Sequence, residues 1–436
     1  MKKPFLSILI CLTVAFSFCL PAKAETLPEI TSAGFVLCNA ETGEILQSKN
    51  PDGRLYPASL TKLMTALLTV ELAEDLDTEK VTVSKNAVES LNGTHSSTGN
   101  LKADETYTLR QLLYLLMLPS GNDSANVLAE YFCQTNAAFA EKMNQKADEL
   151  GMKNTHYTNP HGLHDPMHYT TAADMALLTQ AFLRQPVLKE IASAAEYTVP
   201  ATELQGEREI KTTNLMKLSG SGYYYADAYG LKTGNTTEAG RCLVAAAERD
   251  GLNLVCILMN CPAKYTKTAV VRCEFLEAAS VFDYAFETYS VQKLYDEGTV
   301  IDDKSVGNTF YQQVDLVLDE DVYATLPKTA DPTKTEYTVD WNFTGTNPSA
   351  PIGKGEVLGK VIITLDGQTI AESNVVAAQA VAANPLILFW QRIDTYVYIV
   401  LGLATALVLL FLLLVIRAQA LRRRRRKRRA ARRRGR

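Results

Sequence analysis

A run of 21 residues near the carboxyl end, 396–416, constrains this chain more than any other feature. Thr405 is its one clearly polar side chain. At about 1.5 Å a residue, a helix of this length covers about 31 Å, which is enough to cross the hydrocarbon layer of a bilayer. A buried helix of a soluble protein can be equally apolar. The residues that follow decide between the two.

Arg417 and a basic cluster at residues 422–429 come directly after this run. Basic residues remain on the cytoplasmic side of a span, so we expect residues 417–436 to form a cytoplasmic tail. The rest of the chain is then extracellular, on a single-pass protein of the cell membrane. Arginine clusters also bind nucleic acid, but stop-transfer and attraction to anionic lipids explain this position better.

The other end of the chain, residues 1–24, has the layout of a secretory signal peptide. Lys2 and Lys3 precede an apolar run at residues 5–20, and Ala22 and Ala24 frame a small-x-small cleavage site. An uncleaved anchor is the alternative. The whole chain has a net charge of −4, to which this segment contributes three lysines and the residues after Val415 contribute 13 basic side chains. Without these, the exported part has a net charge of about −20. So acidic an exterior argues against nucleic acid as a partner.

The chain has 436 residues, and hydrophobic patterning divides the part between these ends into two domains. Residues 25–292 alternate helical and strand patterns. We expect strands at 35–38, 45–46, 229–234, 243–247 and 252–259, extended chain at 80–88 and 107–109, and helices at 60–72, 110–118, 124–132, 139–150 and 274–289. Residues 293–385 hold short strand patterns at 314–318, 336–343, 357–364 and 373–376. They predict a small β-rich domain that serves as a spacer or an interaction module.

Six cysteines follow the signal segment, and an even number in an exported chain permits disulfides. They are Cys38, Cys133, Cys242, Cys256, Cys261 and Cys273. Most lie in apolar runs, where a free cysteine packs as a small hydrophobic residue, so we expect free or partly paired thiols. His161, His164 and His168 lie close together but lack the spacing of a zinc site. The sequence therefore predicts no metal and no cofactor.

Ser59 and Lys62 are the candidate nucleophile and base. Pro57 suits the start of a helix, and residues 60–72 are apolar on nearly every side, so this helix is predicted to be buried. Side chains three residues apart share a helix face. A serine hydroxyl needs a neighbouring base, and burial favours the neutral amine of a lysine that can act as one. A Ser-x-x-Lys pair also arises by chance in a chain of this length.

Two further polar clusters follow in the chain. Ser120 and Asn122 flank a glycine between two predicted helices, where they either point into a cleft or cap a helix. Lys232, Thr233 and Gly234 end a predicted strand at an open sheet edge. A glycine in a strand often marks close approach of a ligand or of another backbone.

Taken in order, residues 59–62 (SLTK), 120–122 (SGN) and 232–234 (KTG) resemble the three motifs of penicillin-binding proteins and β-lactamases. Three longer segments look like those of the D-alanyl-D-alanine carboxypeptidases among them: 56–59 (YPAS), 159–163 (NPHGL) and 229–234 (YGLKTG). Residues 350–352 and 354–356 look like the late signature of that family. The resemblance covers about residues 30–385. It implies an α+β fold of the β-lactamase and penicillin-binding-protein type, an antiparallel sheet flanked by helices, followed by the small all-β domain and the C-terminal transmembrane helix.

The resemblance also implies the activity and the roles of residues. The enzyme would remove the terminal D-alanine from peptidoglycan stem pentapeptides through an acyl-enzyme on Ser59, and would bind β-lactams covalently. Lys62 would accept the serine proton, and Ser120 would pass a proton to the leaving D-alanine. The implied substrate-binding residues are Asn122, His161, Lys232, Thr233, Gly234 and Asn235, the last standing where the family often has histidine. Arg272, Arg241 and Lys267 are candidates for binding the terminal carboxylate.

Two other functions fit the same motifs. A β-lactamase would share the acylation residues but needs a separate carboxylate and water for fast deacylation, and residues 159–174 match the carboxypeptidase form instead. A non-catalytic cell-wall protein could retain the fold without the chemistry. Covalent labelling of Ser59 by a penicillin separates this last alternative from both enzymes.

Overall fold

The computed structural model describes residues 26–266 and 270–433, so the predicted signal peptide at 1–24 and Lys267 lie outside the described residues. The chain divides into two compact units. The first ends at Val291 and also takes in Thr325–Ala330, and the second comprises Gln292–Ala324 and the chain from Asp331 onward. The return of Thr325–Ala330 to the first unit is not evident from the sequence pattern.

The elements of the first unit alternate along the chain. Its strands are β1 Gly34–Asn39, β2 Ile45–Lys49, β3 Lys80–Thr82, β4 Thr106–Thr108, β5 Glu196–Val199, β6 Arg208–Lys211, β7 Ala228–Thr236, β8 Gly240–Arg249, β9 Leu252–Cys261, β10 Lys264–Tyr265 and β11 Val270–Val271. Its helices are α1 Lys62–Leu72, α2 Lys85–Glu89, α3 Leu109–Met117, α4 Asn122–Cys133, α5 Asn136–Glu149, α6 Ala172–Leu183, α7 Pro186–Ser193 and α8 Cys273–Thr288. Short 3-10 turns occupy Ala58–Thr61 and Leu215–Lys217.

The central sheet of the first unit is antiparallel, in the order β2-β1-β9-β8-β7. Successive side chains along each strand point to opposite faces of the sheet. On β1, Val36 and Cys38 pack into a core with α1 and α4, while Phe35 and Leu37 pack on the other face against α8, which contributes Phe282. Because both faces are covered, β8 and β9 read as nearly continuous apolar runs. The structure confirms the predicted fold of an antiparallel sheet flanked by helices.

Two predicted elements of the first unit differ in the structure. The helix predicted from residue 60 begins at Lys62, because Ala58 has a φ of +47° and opens a 3-10 turn that holds the serine. The extended chain predicted at 80–88 is a strand only as far as Thr82. Ser84 then caps helix α2, its hydroxyl accepting a hydrogen bond from the Ala87 N–H at 2.9 Å.

The second unit contains a five-stranded antiparallel sheet. Strands β12 Tyr289–Tyr295 and β15 Val322–Pro327 lie at the transitions between the units, and the sheet itself is built from β13 Val300–Ser305, β14 Gln313–Leu318, β16 Glu336–Trp341, β17 Val357–Leu365 and β18 Gln368–Ala377. Its order is β13-β14-β18-β17-β16. Alternate residues such as Val314 and Leu316 build a separate core with Val361 and Ile363. The all-β character predicted for this region is confirmed.

A long helix, α9 Pro385–Arg433, ends the described chain. It contains the predicted span at residues 396–416 and is long and apolar enough to cross a membrane, with none of its most apolar stretch buried against protein. The helix extends beyond the span at both ends.

The six cysteines of the described residues are free. Cys133 is half-buried and the others are buried. Burial raises the pKa of the Cys38, Cys242 and Cys261 thiols to about 12, so these side chains are protonated hydrophobic residues at neutral pH.

Candidate active site

Ser59 lies on a strained turn that a chain of hydrogen bonds supports. The Thr158 N–H donates to His168 Nδ1 at 3.1 Å, so Nδ1 carries no proton and the opposite nitrogen does. His168 Nε2 therefore donates to Thr61 Oγ1 at 2.8 Å, and that hydroxyl donates to the Ala58 carbonyl at 2.8 Å. Burial lowers the pKa of His168 to about 4, which keeps the ring neutral. The series holds Ala58 in its left-handed conformation, which costs about 1–2 kcal/mol for a residue with a Cβ.

Two glycines let other segments approach this turn closely. A Cβ on Gly162 would lie 1.8 Å from the Ala58 carbonyl oxygen, so no other residue fits there. A Cβ on Gly234 would lie 2.9 Å from the Pro57 oxygen and 3.2 Å from the Ser59 nitrogen. The sequence predicts close approach of a ligand or another backbone at Gly234, and the structure shows the backbone of the turn that carries Ser59 in this position.

The side chain of Lys62 is completely buried and reaches three groups. Its Nζ lies 2.6 Å from Asn122 Oδ1, 2.9 Å from the His161 carbonyl oxygen and 2.9 Å from Ser59 Oγ. The first two oxygens can only accept hydrogen bonds. A neutral amine has two N–H groups and one lone pair, so after donating to both oxygens it turns its lone pair toward the Ser59 hydroxyl. The geometry therefore fits an amine that accepts the serine proton.

Electrostatics favour the same protonation state. Burial, and then the positive charge of Lys232, lower the pKa of Lys62 well below its usual range, while Asp123 opposes the shift. The Asp123 carboxylate is engaged elsewhere, since it accepts hydrogen bonds from the Gly99 N–H at 2.7 Å and the Leu101 N–H at 3.0 Å. It fixes the loop at residues 99–101 against the start of α4, a role that sequence reasoning missed.

Ser120 and Asn122 flank Gly121, which is the N-cap residue of α4 and makes no side-chain cap. The alternative of an ordinary cap by either polar neighbour is therefore wrong. Ser120 has a φ of +63°, and its buried hydroxyl has no hydrogen-bond partner among the described residues. A Cβ on Gly121 would meet the Leu115 carbonyl at 2.8 Å. The tight turn thus leaves the Ser120 hydroxyl available for a bound molecule.

The third motif lies on β7, an edge strand of the sheet. Lys232 is buried and donates to the Thr233 carbonyl at 3.0 Å, and burial lowers its pKa to about 7. Thr233 Oγ1 lies 2.7 Å from Thr213 Oγ1. Asn235 is exposed at the end of the motif.

A cleft of about 700 Å³ brings most of the predicted residues together. The predicted residues that line it are Ser59, Ser120, Asn122, His161, Thr233, Gly234 and Asn235. Lys62 and Lys232 lie buried behind the cleft wall. His161 contributes its carbonyl to Lys62 and accepts from the Leu163 N–H on Nδ1 at 3.2 Å, while burial lowers its pKa to about 3.

Two candidates for binding the substrate carboxylate, Arg241 and Arg272, also line the cleft. Both lie against one buried carboxylate. Arg272 Nε donates to Glu274 Oε1 at 2.6 Å, and Arg241 Nη1 lies 3.5 Å from the same oxygen. Sequence reasoning missed Glu274, although an acidic residue in the first turn of α8 is a visible signal. Among the described residues that line the cleft, Glu238 is the one carboxylate, and it is exposed.

The fold and the serine-lysine pair define a serine hydrolase. The family model described as D-alanyl-D-alanine carboxypeptidase matches residues 21–263, and the model described as the C-terminal domain of penicillin-binding protein 5 matches residues 289–383. The chain belongs to the D-alanyl-D-alanine carboxypeptidase family of penicillin-binding proteins.

Individual relatives cover most of the chain. D-alanyl-D-alanine carboxypeptidase DacF of Bacillus subtilis is 30% identical over 85% of this chain and 90% of its own length. DacA of Haemophilus influenzae is 31% identical over 80% and 85%. The crystal structure of penicillin binding protein 5 from Haemophilus influenzae matches with a TM-score of 0.68 and 29% identity, covering 82% of this chain and 99% of that one. These similarities extend through both units.

Proposed function

We propose that this enzyme hydrolyses the terminal D-Ala-D-Ala bond of peptidoglycan stem peptides through an acyl-enzyme on Ser59. The observation that carries the proposal is the environment of Lys62, whose two hydrogen-bond acceptors leave its lone pair facing the serine hydroxyl. A base of this kind makes serine a nucleophile at neutral pH.

In the first step, Ser59 Oγ attacks the carbonyl carbon of the penultimate D-alanine while Lys62 takes its proton. The carbonyl oxygen becomes an oxyanion, which the backbone N–H groups of Ser59 and Asn235 stabilise. As the tetrahedral intermediate collapses, the C–N bond breaks and the Ser120 hydroxyl passes a proton to the leaving amine. Water then attacks the ester and restores the free serine. A β-lactam carbonyl reacts in the same way and leaves a slowly hydrolysed ester.

Substrate binding uses the edge of the sheet. The stem peptide lies along β7 as an added strand, hydrogen-bonded to a backbone edge that no other strand of the central sheet covers. Thr233 meets the terminal carboxylate, and Lys232 supplies positive potential behind it. Arg241 and Arg272, both held by Glu274, lie in the same cleft and add to its attraction for an anion.

Penicillin labelling tests the proposal most directly. We expect a fluorescent penicillin to label the parent protein and mass spectrometry to map the adduct to Ser59. Ser59→Ala abolishes labelling, and Lys62→Ala nearly abolishes it while substrate still binds. Release of D-alanine from a stem pentapeptide at the parent rate by either variant would contradict the assigned roles. Rapid turnover of penicillin would favour a β-lactamase, and no labelling at all would favour a non-catalytic protein.

For the cell, we propose that residues 396–416 span the membrane, with the catalytic residues extracellular and the arginine-rich tail inside. The apolar surface of α9 and the basic residues after it support this topology. Residues 25–292 would carry catalysis and 293–385 would hold it above the membrane. We expect truncation after Pro385 to give a soluble, active protein. Aggregation of the truncated chain without activity would show that α9 belongs to the folded core.

A further inference from the structure

The second unit exposes two adjacent aromatic side chains at the tip of one hairpin. Strands β13 and β14 pair as far as Ser305 and Gln313, and the Val306 N–H donates to the Gln312 carbonyl at 2.9 Å, so residues 306–312 form the loop. Within it, Tyr311 is fully exposed and Phe310 is 60% exposed. We call these two residues the aromatic pair. Exposing two neighbouring aromatic rings to water forgoes the favourable free energy of burying apolar surface.

Hydrogen bonds tie this loop to the start of α9. The Asn384 N–H donates to the Asn308 carbonyl at 2.8 Å, and Gln391 Nε2 donates to Asn308 Oδ1 at 2.8 Å. Asn308 precedes the aromatic pair by two residues. The pair therefore lies beside the first turns of the helix that we propose to enter the membrane.

The position along α9 corresponds to the lipid headgroups. Gln391 comes five residues before the proposed span, which at about 1.5 Å a residue places it about 7.5 Å above the hydrocarbon. A bilayer about 40–45 Å thick around a core of about 30 Å has about 5–8 Å of headgroup layer on each side. Aromatic residues concentrate in that layer. The helix itself exposes Phe389 and Trp390 just before Gln391, by 56% and 62%.

We infer that the aromatic pair inserts into the headgroup layer and gives the second unit a second contact with the membrane, beside α9. The inference rests on the proposed transmembrane anchor. The aromatic pair contacts lipid rather than another protein, because its loop is hydrogen-bonded to the segment that enters the bilayer. A unit attached by one helix can swivel and tilt, whereas a second insertion point restricts both motions.

The test uses the full chain reconstituted in vesicles of phosphatidylcholine and phosphatidylglycerol that contain a lipid with a nitroxide on its headgroup. An environment-sensitive dye is attached at Gln312→Cys, which leaves the aromatic pair intact, and at Gln368→Cys, which lies at the far end of β18 from α9. We expect the headgroup nitroxide to quench the dye at 312 about threefold more strongly than the dye at 368. Adding Phe310→Ser and Tyr311→Ser removes this difference, and the matched control Tyr323→Ser, beyond the other end of β14, does not.

Two results overturn the inference alone. One is equal quenching at the two labelled positions, and the other is quenching at position 312 that survives loss of the aromatic pair. A dye at Leu407→Cys, in the middle of the proposed span, reports on the anchor through a nitroxide placed deep in the acyl chain. If that dye is not quenched, the transmembrane proposal fails and this inference fails with it. The parent chain treated with the same dye corrects for labelling of its own cysteines.

Discussion

Replacing Asn122 with aspartate tests whether Lys62 acts as a neutral base. The substitution keeps the shape of the side chain but places a carboxylate oxygen where the amide oxygen lies 2.6 Å from Nζ. At that distance and an effective dielectric constant of about 20, attraction to an ammonium is on the order of 6 kcal/mol. If burial of the new carboxylate cancels half of this, about 3 kcal/mol remains, enough to raise the pKa of Lys62 by about 2. Since only the neutral amine accepts a proton, acylation falls about 100-fold at pH values below the parent pKa of Lys62, and by a smaller factor above it.

The assay is the second-order rate of labelling by a fluorescent penicillin, measured as a function of pH from about pH 5 to pH 10. We expect the rising limb of the profile to move about 2 pH units to the alkaline side in Asn122→Asp. Asn122→Ala is the matched control: it removes an acceptor from Lys62 without adding charge, so it lowers the rate without an alkaline displacement. An aspartate variant with the parent profile would show that Lys62 is not the proton acceptor.

Two further predictions concern the turn that carries the serine. Gly162→Ala places a Cβ 1.8 Å from the Ala58 carbonyl oxygen, so it should abolish acylation, whereas Gly151→Ala, also at positive φ but in open space, should cost only about 1–2 kcal/mol of folding free energy; equal labelling by the two variants would contradict the steric argument. Burial lowers the pKa of His161 to about 3 and of His168 to about 4, so each is neutral in the folded state. Their contribution to the free energy of unfolding is complete above about pH 6.5, where histidines of the unfolded chain are also neutral. It is lost as the pH falls from there through these folded-state values, by up to about 1.4 kcal/mol per pH unit for each histidine. Urea unfolding from about pH 6.5 down to pH 4.5 measures the slope, and His168→Gln should reduce it by one histidine's share; an unchanged slope would show that His168 is not buried neutral.

The features that sequence reasoning predicted correctly are those that local pattern encodes. An apolar run on every side of residues 60–72 predicts a buried helix, and alternation in residues 314–318 predicts a strand. The three motifs identified the family because their order and spacing are distinctive even where each alone is not. The apolar composition of α9 likewise indicated a helix, although its ends were not visible, since arginine and alanine continue a helix as readily as leucine does.

The features that were missed depend on contacts between distant segments. Thr61 and His168 are 107 positions apart, and no local signal joins them. The positive φ of Ala58 runs against the preference of alanine and exists because surrounding segments impose it. Gly162 stands in a segment that the resemblance singled out, but its steric reason appears only when Ala58 is placed beside it.

The turn at Ala58 has a consequence for when this enzyme becomes reactive. Three segments that lie far along the chain pack against its backbone: the loop at Gly162, the residues around His168 and the edge strand at Gly234. Until all three segments have folded against the turn, the Ser59 hydroxyl is no more reactive toward a carbonyl than that of any other serine. If the proposed acylation of Ser59 is correct, newly made polypeptide does not react with penicillins, and labelling by a penicillin reports the completion of folding.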